Sequence, residues 1–263
     1  MISRVSKSGK WALYGNKEAE IVVCGQSHAA CILEATNRPE LAIADAAAIS
    51  VCYSADLLTA GPPGDKEYWE FVAKLGRGKH IVIVWNGNQH NANFMFQTDP
   101  KFTMLGVTDN FPDEKVIPIS SAMIKEFFKP SFVELTEIVA SMFEAKSVTL
   151  MNGPAPKPIS HIQNIISKEK YFTDIVESLN VDLESLVITS DALRLELWNV
   201  LAGLLEKCAN DLGINFIGAP TESRDIFGML LPEYRAPDVT HANSNYGILL
   251  IKALKNLNGK VRN

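Results

Sequence analysis

The fold is decided by a short stretch near the N-terminus, Ile21-Val22-Val23-Cys24-Gly25-Gln26-Ser27, which continues into His28-Ala29-Ala30-Cys31-Ile32-Leu33-Glu34. It opens with four apolar residues, mostly β-branched, and this composition is typical of a short buried strand. Gly25 allows a sharp turn, and Ser27 falls where the following helix should begin. The stretch therefore predicts a β-strand that turns directly into a helix.

Ser27 has two possible roles at this strand-to-helix turn. Its hydroxyl would lie at the carboxyl end of a strand, beside the free N–H groups of a first helical turn, where a nucleophile that develops negative charge is well placed. The same position suits an ordinary N-cap serine, whose hydroxyl accepts a hydrogen bond from the helix backbone. The stretch alone favours the cap, so the rest of the chain has to decide.

Length and composition indicate a globular protein with one α/β domain. The chain has 263 residues, of which 47% are hydrophobic and 21% charged, and its net charge is −5. An acidic chain lacks the basic excess of a nucleic-acid surface. Its apolar runs are much shorter than the roughly twenty residues of a membrane span, and no apolar signal-peptide core follows the N-terminus. We expect no nucleic-acid partner, no membrane span and a cytoplasmic location.

The cysteines and histidines predict neither disulfides nor a metal site. The four cysteines are Cys24, Cys31, Cys52 and Cys208, and none forms a C-x-x-C pair. Most of them stand in apolar surroundings, which favours buried, reduced thiols over a disulfide framework or a zinc site. The histidines show no metal-ligand spacing either, so no cofactor is expected.

Strands and helices alternate along the rest of the chain. Apolar runs predict strands near the end of 41–51 and at 80–85, 147–151 and 214–217. Cap residues and helical spacing of apolar residues predict helices over 66–75, 131–144, 191–212 and 241–257. The continuous β-branched run at 80–85 is typical of a parallel sheet covered on both faces. We therefore expect one α/β domain over 1–263, with a central parallel sheet of about five strands.

The segment 94–130 does not fit this alternation. It is long for a loop, lacks a regular period and carries six phenylalanines. We interpret it as an insertion with short elements of its own, near the carboxyl ends of the strands, where an active site would lie. Its aromatic residues could form a wall for sugar rings above the site, or a small satellite core at one sheet edge, and the satellite core is favoured.

Polar residues cluster where predicted strands end, which is where ligands bind in open parallel α/β sheets. Serine catalysis needs a base for the hydroxyl proton, an acid that orients this base, and donors for the developing oxyanion. His241 and Asp238 stand three residues apart and can supply the base and its acid, while Asn88 can supply a neutral donor. Asp238 and His241 could equally be the cap region of the last helix, with the aspartate near its positive end.

Three segments resemble the sequence blocks of the SGNH (GDSL-type) hydrolase superfamily, in the same order. They are Gly25-Gln26-Ser27-His28, Asn86-Gly87-Asn88-Gln89 and Asp238-Val239-Thr240-His241. The family pattern has Gly-Asp-Ser, Gly-x-Asn-Asp and Asp-x-x-His at these places. Pro154-Ala155-Pro156 is similar to the proline-rich exit from the family's fourth strand. The resemblance implies a flavodoxin-like three-layer sandwich.

The resemblance also implies a serine esterase that acts on a small-molecule or carbohydrate ester. Ser27 would attack the ester carbonyl, His241 would take the serine proton, and Asp238 would orient His241. The oxyanion would be held by the Ser27 N–H, the Asn88 side chain and a loop glycine N–H, from Gly61 or Gly64. Water would then release the acyl group, or a sugar hydroxyl would do so in an acyltransferase.

The chain departs from the family pattern at Gln26, Asn86 and Gln89. Gln26 replaces the aspartate of Gly-Asp-Ser, but Gly-Gln-Ser also occurs in the branch that removes acetyl groups from carbohydrates. Gln26 is therefore a candidate substrate-binding residue. The substitutions keep two alternatives open, a carbohydrate O-acyltransferase that uses the same residues and a non-catalytic binding protein on this scaffold.

Other polar and aromatic residues near these segments have structural interpretations. We expect His28 to be a rim or structural residue and His90 a solvated loop residue. Arg224, Tyr234 and Arg235 could line the cleft, but we expect them to be exposed.

Overall fold

One mixed β-sheet organises the fold. The computed structural model of the chain describes residues 2–5, 11–53, 66–85, 93–97, 100–107, 116–178 and 187–261. Its strands, in chain order, are β1 (Ile2–Val5), β2 (Ala12–Tyr14), β3 (Ile21–Gly25), β4 (Ile49–Tyr53), β5 (His80–Val84), β6 (Phe96–Gln97), β7 (Phe102–Met104), β8 (Ile117–Ile119), β9 (Ser147–Met151), β10 (Val187–Ile188) and β11 (Asn215–Ile217). Its α-helices are α1 (Ala30–Thr36), α2 (Ile43–Ala47), α3 (Lys66–Leu75), α4 (Ser121–Ser141), α5 (Ile159–Ile162), α6 (Lys170–Ser178), α7 (Asp191–Asp211) and α8 (Ser244–Val261).

The main sheet has the strand order β1-β2-β4-β3-β5-β9-β11. The five strands from β4 to β11 in this order run parallel, whereas β2 pairs antiparallel with β4, and β1 with β2. The chain passes from β3 to β4 on one side and then to β5 on the other, so a topological switch point lies beside β3. The flavodoxin-like order and the parallel sheet expected from the sequence are confirmed. The N-terminal lead-in adds two antiparallel strands that the sequence did not predict.

Both faces of this sheet are covered, which gives a three-layer sandwich. Side chains alternate between the faces, so Val23 packs in the layer of α1 and α8, while Cys24 packs in the layer of α3 and α4. The same alternation places Val82 of β5 in the first layer and Ile83 in the second. Every residue of β3 and of β5 is buried, as a parallel sheet covered on both faces requires.

The predicted start of the helix expected over 131–144 was wrong. α4 begins at Ser121, where the Ser120 hydroxyl accepts a hydrogen bond from the Met123 N–H at 3.2 Å. Pro130 lies inside the helix and does not end it. Its ring removes one backbone hydrogen bond, but the buried positions Phe128 and Leu135 continue on both sides of it, so packing outweighs the loss. The irregular segment expected to reach residue 130 therefore ends at residue 120.

The aromatic residues of this segment pack mainly on each other. Phe94 contacts Phe102, Phe127 and Phe128 edge to face, with ring centroids 5.6 to 6.2 Å apart. These contacts support the satellite core for the described part of the segment. Its position relative to the active site stays a prediction.

Within the described ranges, no helix combines the length and the apolar composition needed to cross a membrane. Cys24, Cys31 and Cys52 are buried and Cys208 is half-buried. Burial raises the pKa of the Cys31 and Cys52 thiols to about 12, so these thiols are unreactive. The cytoplasmic location stays a prediction.

Candidate active site

The turn after β3 depends on a glycine. Gly25 has a φ of +139°, a backbone conformation that side chains disfavour. A Cβ atom at this position would lie 2.2 Å from the carbonyl oxygen of Val84 in β5. Only glycine therefore lets the end of β3 lie this close to β5 and direct the chain into the next helix.

Ser27 is not a helix cap. It is the first residue of a 3-10 helix, Ser27–Ala29, whose N-cap residue is Gln26, and no side chain caps this helix. The Ser27 side chain is 8% exposed, and its Oγ is buried without a hydrogen-bond partner in the described part of the chain. An N-cap hydroxyl would accept a hydrogen bond from the following turn, so the cap interpretation is wrong.

Tyr68 fixes the backbone of this turn. Its hydroxyl, fully buried on α3, accepts a hydrogen bond from the Gly25 N–H at 2.7 Å and donates one to the Cys52 carbonyl at 2.7 Å. One side chain thus joins the carboxyl ends of β3 and β4 just before Ser27. Helical spacing of apolar residues predicted the helix that carries Tyr68, but no local signal showed where its hydroxyl would bind.

We expect Tyr68→Phe to destabilise the protein by about 1–3 kcal/mol, because it leaves the buried Gly25 N–H without an acceptor. It should also lower the turnover of the proposed reaction, because the turn that carries Ser27 loses its fixed point. Urea unfolding and kcat measure the two effects. The matched control is Tyr171→Phe, which changes a half-buried tyrosine on α6. It should alter neither the stability nor kcat. Equal effects of the two variants would contradict the role of Tyr68.

His241 and Asp238 lie in contact, as the proposed base and its acid require. Nδ1 of His241 lies 2.9 Å from Oδ2 of Asp238. Since the carboxylate accepts the proton of Nδ1, the neutral ring keeps Nε2 as a free acceptor, as a general base must. Nε2 is buried, and no described residue hydrogen bonds to it.

Asp238 and His241 do not cap the last helix. α8 begins at Ser244, and Oδ1 of Asn243 accepts hydrogen bonds from the N–H groups of Asn245 and Tyr246, at 2.9 and 3.4 Å. The helix predicted to begin at residue 241 therefore starts three residues later, and Asn243 is its cap. The interpretation of Asp238 and His241 as cap residues is wrong.

A buried lysine that the sequence analysis missed holds the aspartate. The side chain of Lys157 is 0% exposed, and its Nζ lies 3.0 Å from Oδ1 of Asp238. Burial by itself raises the pKa of Asp238, but the hydrogen bond and charge of His241 and the charge of Lys157 outweigh it and hold this pKa well below its usual value. A lysine between two prolines after a buried strand was the available signal.

Ser27 lies near His241, because its neighbour in the chain, His28, packs against the His241 ring. The His28 ring, 6% exposed, has its centroid 5.0 Å from that of His241, so His28 is buried at the site and is not a rim residue. Helices α1 and α8 meet closely, because a Cβ on Gly247 would lie 2.1 Å from the Cys31 carbonyl oxygen. Ser27 Oγ and His241 Nε2 do not hydrogen bond to each other, and catalytic hydrogen bonds are often long without substrate.

The remaining predicted site residues have different outcomes. Gln26 is half-buried beside Ser27. Asn88, Gly61 and Gly64 lie outside the described residues, as does His90. Arg224, Tyr234 and Arg235, expected to be exposed, are half-buried instead, because the loop after β11 folds back on the sheet and Arg235 Nε donates to the Leu230 carbonyl at 2.8 Å.

Comparison with solved structures finds similar folds at low sequence identity. A protein from Bacteroides fragilis described as an acylhydrolase matches 94% of this chain and 90% of its own, with a TM-score of 0.51 and 12% identity. A GDSL-like lipase from Bacteroides thetaiotaomicron matches 93% of this chain and 90% of its own, with the same TM-score and identity. The sequence itself matches no protein-family model and no curated protein.

Proposed function

We propose that this chain, which has the fold of the SGNH (GDSL-type) hydrolases, is a serine esterase with Ser27 as nucleophile. One observation carries the proposal: Asp238 binds Nδ1 of His241, while Nε2 has no hydrogen bond to any described residue and lies next to the turn that bears Ser27. This turn follows β3 at the topological switch point, where open α/β sheets bind ligands. Function on such a fold has to be argued from the site, and this pair supports acyl transfer.

The proposed reaction has two steps. Ser27 Oγ forms a bond to the ester carbonyl carbon while Nε2 of His241 takes the hydroxyl proton and the carbonyl electron pair moves to the oxygen. The tetrahedral intermediate collapses, and the leaving alcohol takes the proton from Nε2. Water then attacks the acyl-enzyme, gives its proton to Nε2, and the acid leaves as Ser27 recovers its proton. Asp238 keeps the ring oriented and stabilises the imidazolium throughout.

The proposed oxyanion hole combines the Ser27 N–H with the Asn88 side chain and a glycine N–H from Gly61 or Gly64. Ser27 opens a 3-10 helix, and the first N–H groups of a helix have no intrahelical acceptor. Asn88 and the glycines are proposed from the sequence alone. Such donors contribute because they bind the oxygen more strongly as its negative charge develops.

We expect Asn88→Ala to lower kcat by about 10²–10³-fold, because one oxyanion donor is lost. The unfolding temperature should stay within about a degree of wild type, since the residue serves the transition state and not the core. Asn91→Ala, three positions further along the sequence, is the matched control and should keep wild-type turnover. Equal turnover in both variants would remove Asn88 from the site.

The proposed substrate is an O-acetyl ester of a carbohydrate. Gln26 supports this substrate, since it gives the chain the Gly-Gln-Ser sequence and is half-buried beside the nucleophile. We expect faster hydrolysis of p-nitrophenyl acetate than of the octanoate, and release of acetate from an acetylated sugar. Gln26→Ala should lower kcat/KM for the sugar ester more than for p-nitrophenyl acetate, because the latter has no sugar to bind.

An O-acyltransferase with the same residues is the second candidate. It is favoured by the burial of both reacting atoms, Ser27 Oγ and His241 Nε2, because acyl transfer to a sugar requires that water be kept from the acyl-enzyme. Release of p-nitrophenol should then rise when a sugar acceptor is added, and an acylated sugar should form. A rate that does not depend on acceptor identifies the hydrolase.

The test of the proposed function is ester hydrolysis by the purified wild-type protein and by His241→Gln. We expect the wild type to release p-nitrophenol from p-nitrophenyl acetate, with kcat/KM lowered by about 10³-fold or more in the variant. A folded wild-type protein that neither hydrolyses nor transfers acetyl groups, but still binds sugars, would indicate a binding protein on this scaffold.

A further inference from the structure

We propose that Lys157 is a buried positioning residue that fixes Asp238 against His241 and opposes protonation of the His241 ring. The inference rests on the proposed function, because it assigns Lys157 a role in the acid–base pair. Lys157 does not contact the reacting atoms. It acts through Asp238.

All three donors of the Lys157 ammonium group are used within one short loop. Nζ donates to Oδ1 of Asp238 at 3.0 Å, to the Asp238 carbonyl at 2.5 Å and to the Ala236 carbonyl at 2.7 Å. Oδ1 also accepts the N–H groups of Thr240 and His241, at 2.9 and 2.7 Å. Oδ1 is therefore fully engaged, and Oδ2 is left to bind the His241 ring.

Lys157 is itself held in place from behind. Its carbonyl accepts a hydrogen bond from Nη2 of Arg194 at 2.8 Å, and Arg194 is only 1% exposed. Nε of Arg194 donates to the Thr189 carbonyl at 3.1 Å, and Nη2 also contacts Oδ1 of Asp191. The proline-rich exit from β9 is thereby fixed to the first turn of α7. The network therefore fixes the backbone from which the Lys157 side chain extends to Asp238.

The charges around His241 give Lys157 an electrostatic role. Asp238 and Glu169 are the acidic groups that favour an imidazolium, and Glu169 lies just before α6 with its carboxylate bonded to the Val239 N–H. Among the described residues, the other titratable or cationic groups around this loop are Lys157, His28 of the 3-10 helix, His161 of α5 and Arg235. Lys157 is the fully buried cation of this set, and it binds the same carboxylate as His241. Its charge offsets part of the attraction between Asp238 and an imidazolium, so a neutral residue at 157 should favour the imidazolium.

The test uses Lys157→Gln and Lys157→Met, which both remove the charge, while glutamine can still donate two hydrogen bonds. The measured quantity is the midpoint of the His241 ring titration by NMR, together with the acidic limb of kcat/KM. We expect the titration midpoint and the midpoint of the acidic limb to move upward by about one pH unit in each variant. At high pH, kcat/KM should fall further in the methionine variant, by about tenfold, because the loop also loses its donors. Lys170→Gln, an exposed lysine paired with Asp174, is the control and should leave both midpoints unchanged.

A His241 midpoint that stays at the wild-type value in folded Lys157→Gln would overturn the inference. The further loss of kcat/KM in Lys157→Met should be absent in the Asp238→Asn background, because the lysine positions the His241 ring through that carboxylate. If neither variant folds, the wild-type ¹⁵Nζ signal of Lys157 must still shift with the His241 titration, and a signal that does not shift overturns the inference. The NMR titrations do not depend on turnover. An inactive wild-type protein would therefore contradict the proposed esterase activity, but the His241 titration could still be measured.

Discussion

Ser27→Ala is expected to abolish ester hydrolysis without any loss of stability. The kcat/KM for p-nitrophenyl acetate should fall by about 10⁴-fold or more, because no other group can form the acyl-enzyme. The variant should also be as stable as wild type or more stable, by up to about 1 kcal/mol. The Ser27 hydroxyl is buried without a partner among the described residues, and burying an unpaired hydroxyl is unfavourable. Ester hydrolysis and urea unfolding measure the two effects.

The matched control is Ser50→Ala. Ser50 is fully buried in β4, the neighbour of β3, and its Oγ lies 3.5 Å from the Ile21 carbonyl, at the opposite end of β3 from Ser27. This variant should keep wild-type kcat/KM. Wild-type activity in Ser27→Ala, or an equal loss in both serine variants, would show that Ser27 is not the nucleophile.

Gly25→Ala is expected to have the largest effect on stability, a loss of more than about 3 kcal/mol. A side chain disfavours the φ of +139° at this position, and its Cβ would lie 2.2 Å from the Val84 carbonyl oxygen. This contact is with backbone in the middle of the sheet, so it can be relieved only by moving β3 away from β5. The free energy of unfolding in urea measures the loss.

Gly78→Ala separates the clash from the backbone conformation. Gly78 has a φ of +68°, but a Cβ there would have no atom within 4 Å. We expect this variant to lose only about 1–2 kcal/mol. A loss in Gly25→Ala no greater than that in Gly78→Ala would contradict the close packing of β3 on β5.

The fold was predicted well where the signal is local. The β-branched run at 80–85 gave the central strand β5, and the apolar spacing at 191–212 gave α7, because both patterns lie within one element. The start of α4 was missed, because a proline usually ends a helix. Whether a helix continues through Pro130 depends on how it packs against α7 and the satellite core. The antiparallel strands β1 and β2 were missed, because strands of four and three residues are too short to show a clear period.

The site shows the same division. Ser27, Asp238 and His241 could be proposed as site residues because a strand-to-helix turn and a three-residue spacing are local signals, and the family resemblance linked them. Tyr68 and Lys157 were not assigned roles, because their partners lie 43 and 81 positions away in the sequence. Such contacts depend on which strand ends become neighbours, and composition does not specify this.

Covalent labelling by a fluorophosphonate, located by mass spectrometry of the digested protein, tests the central claim most directly. The account predicts one phosphonylated residue, Ser27, with labelling absent in Ser27→Ala and strongly slowed in His241→Gln, because the free serine hydroxyl reacts slowly without its base. Folded wild-type protein that leaves Ser27 unlabelled, or that is labelled equally fast without His241, would contradict it.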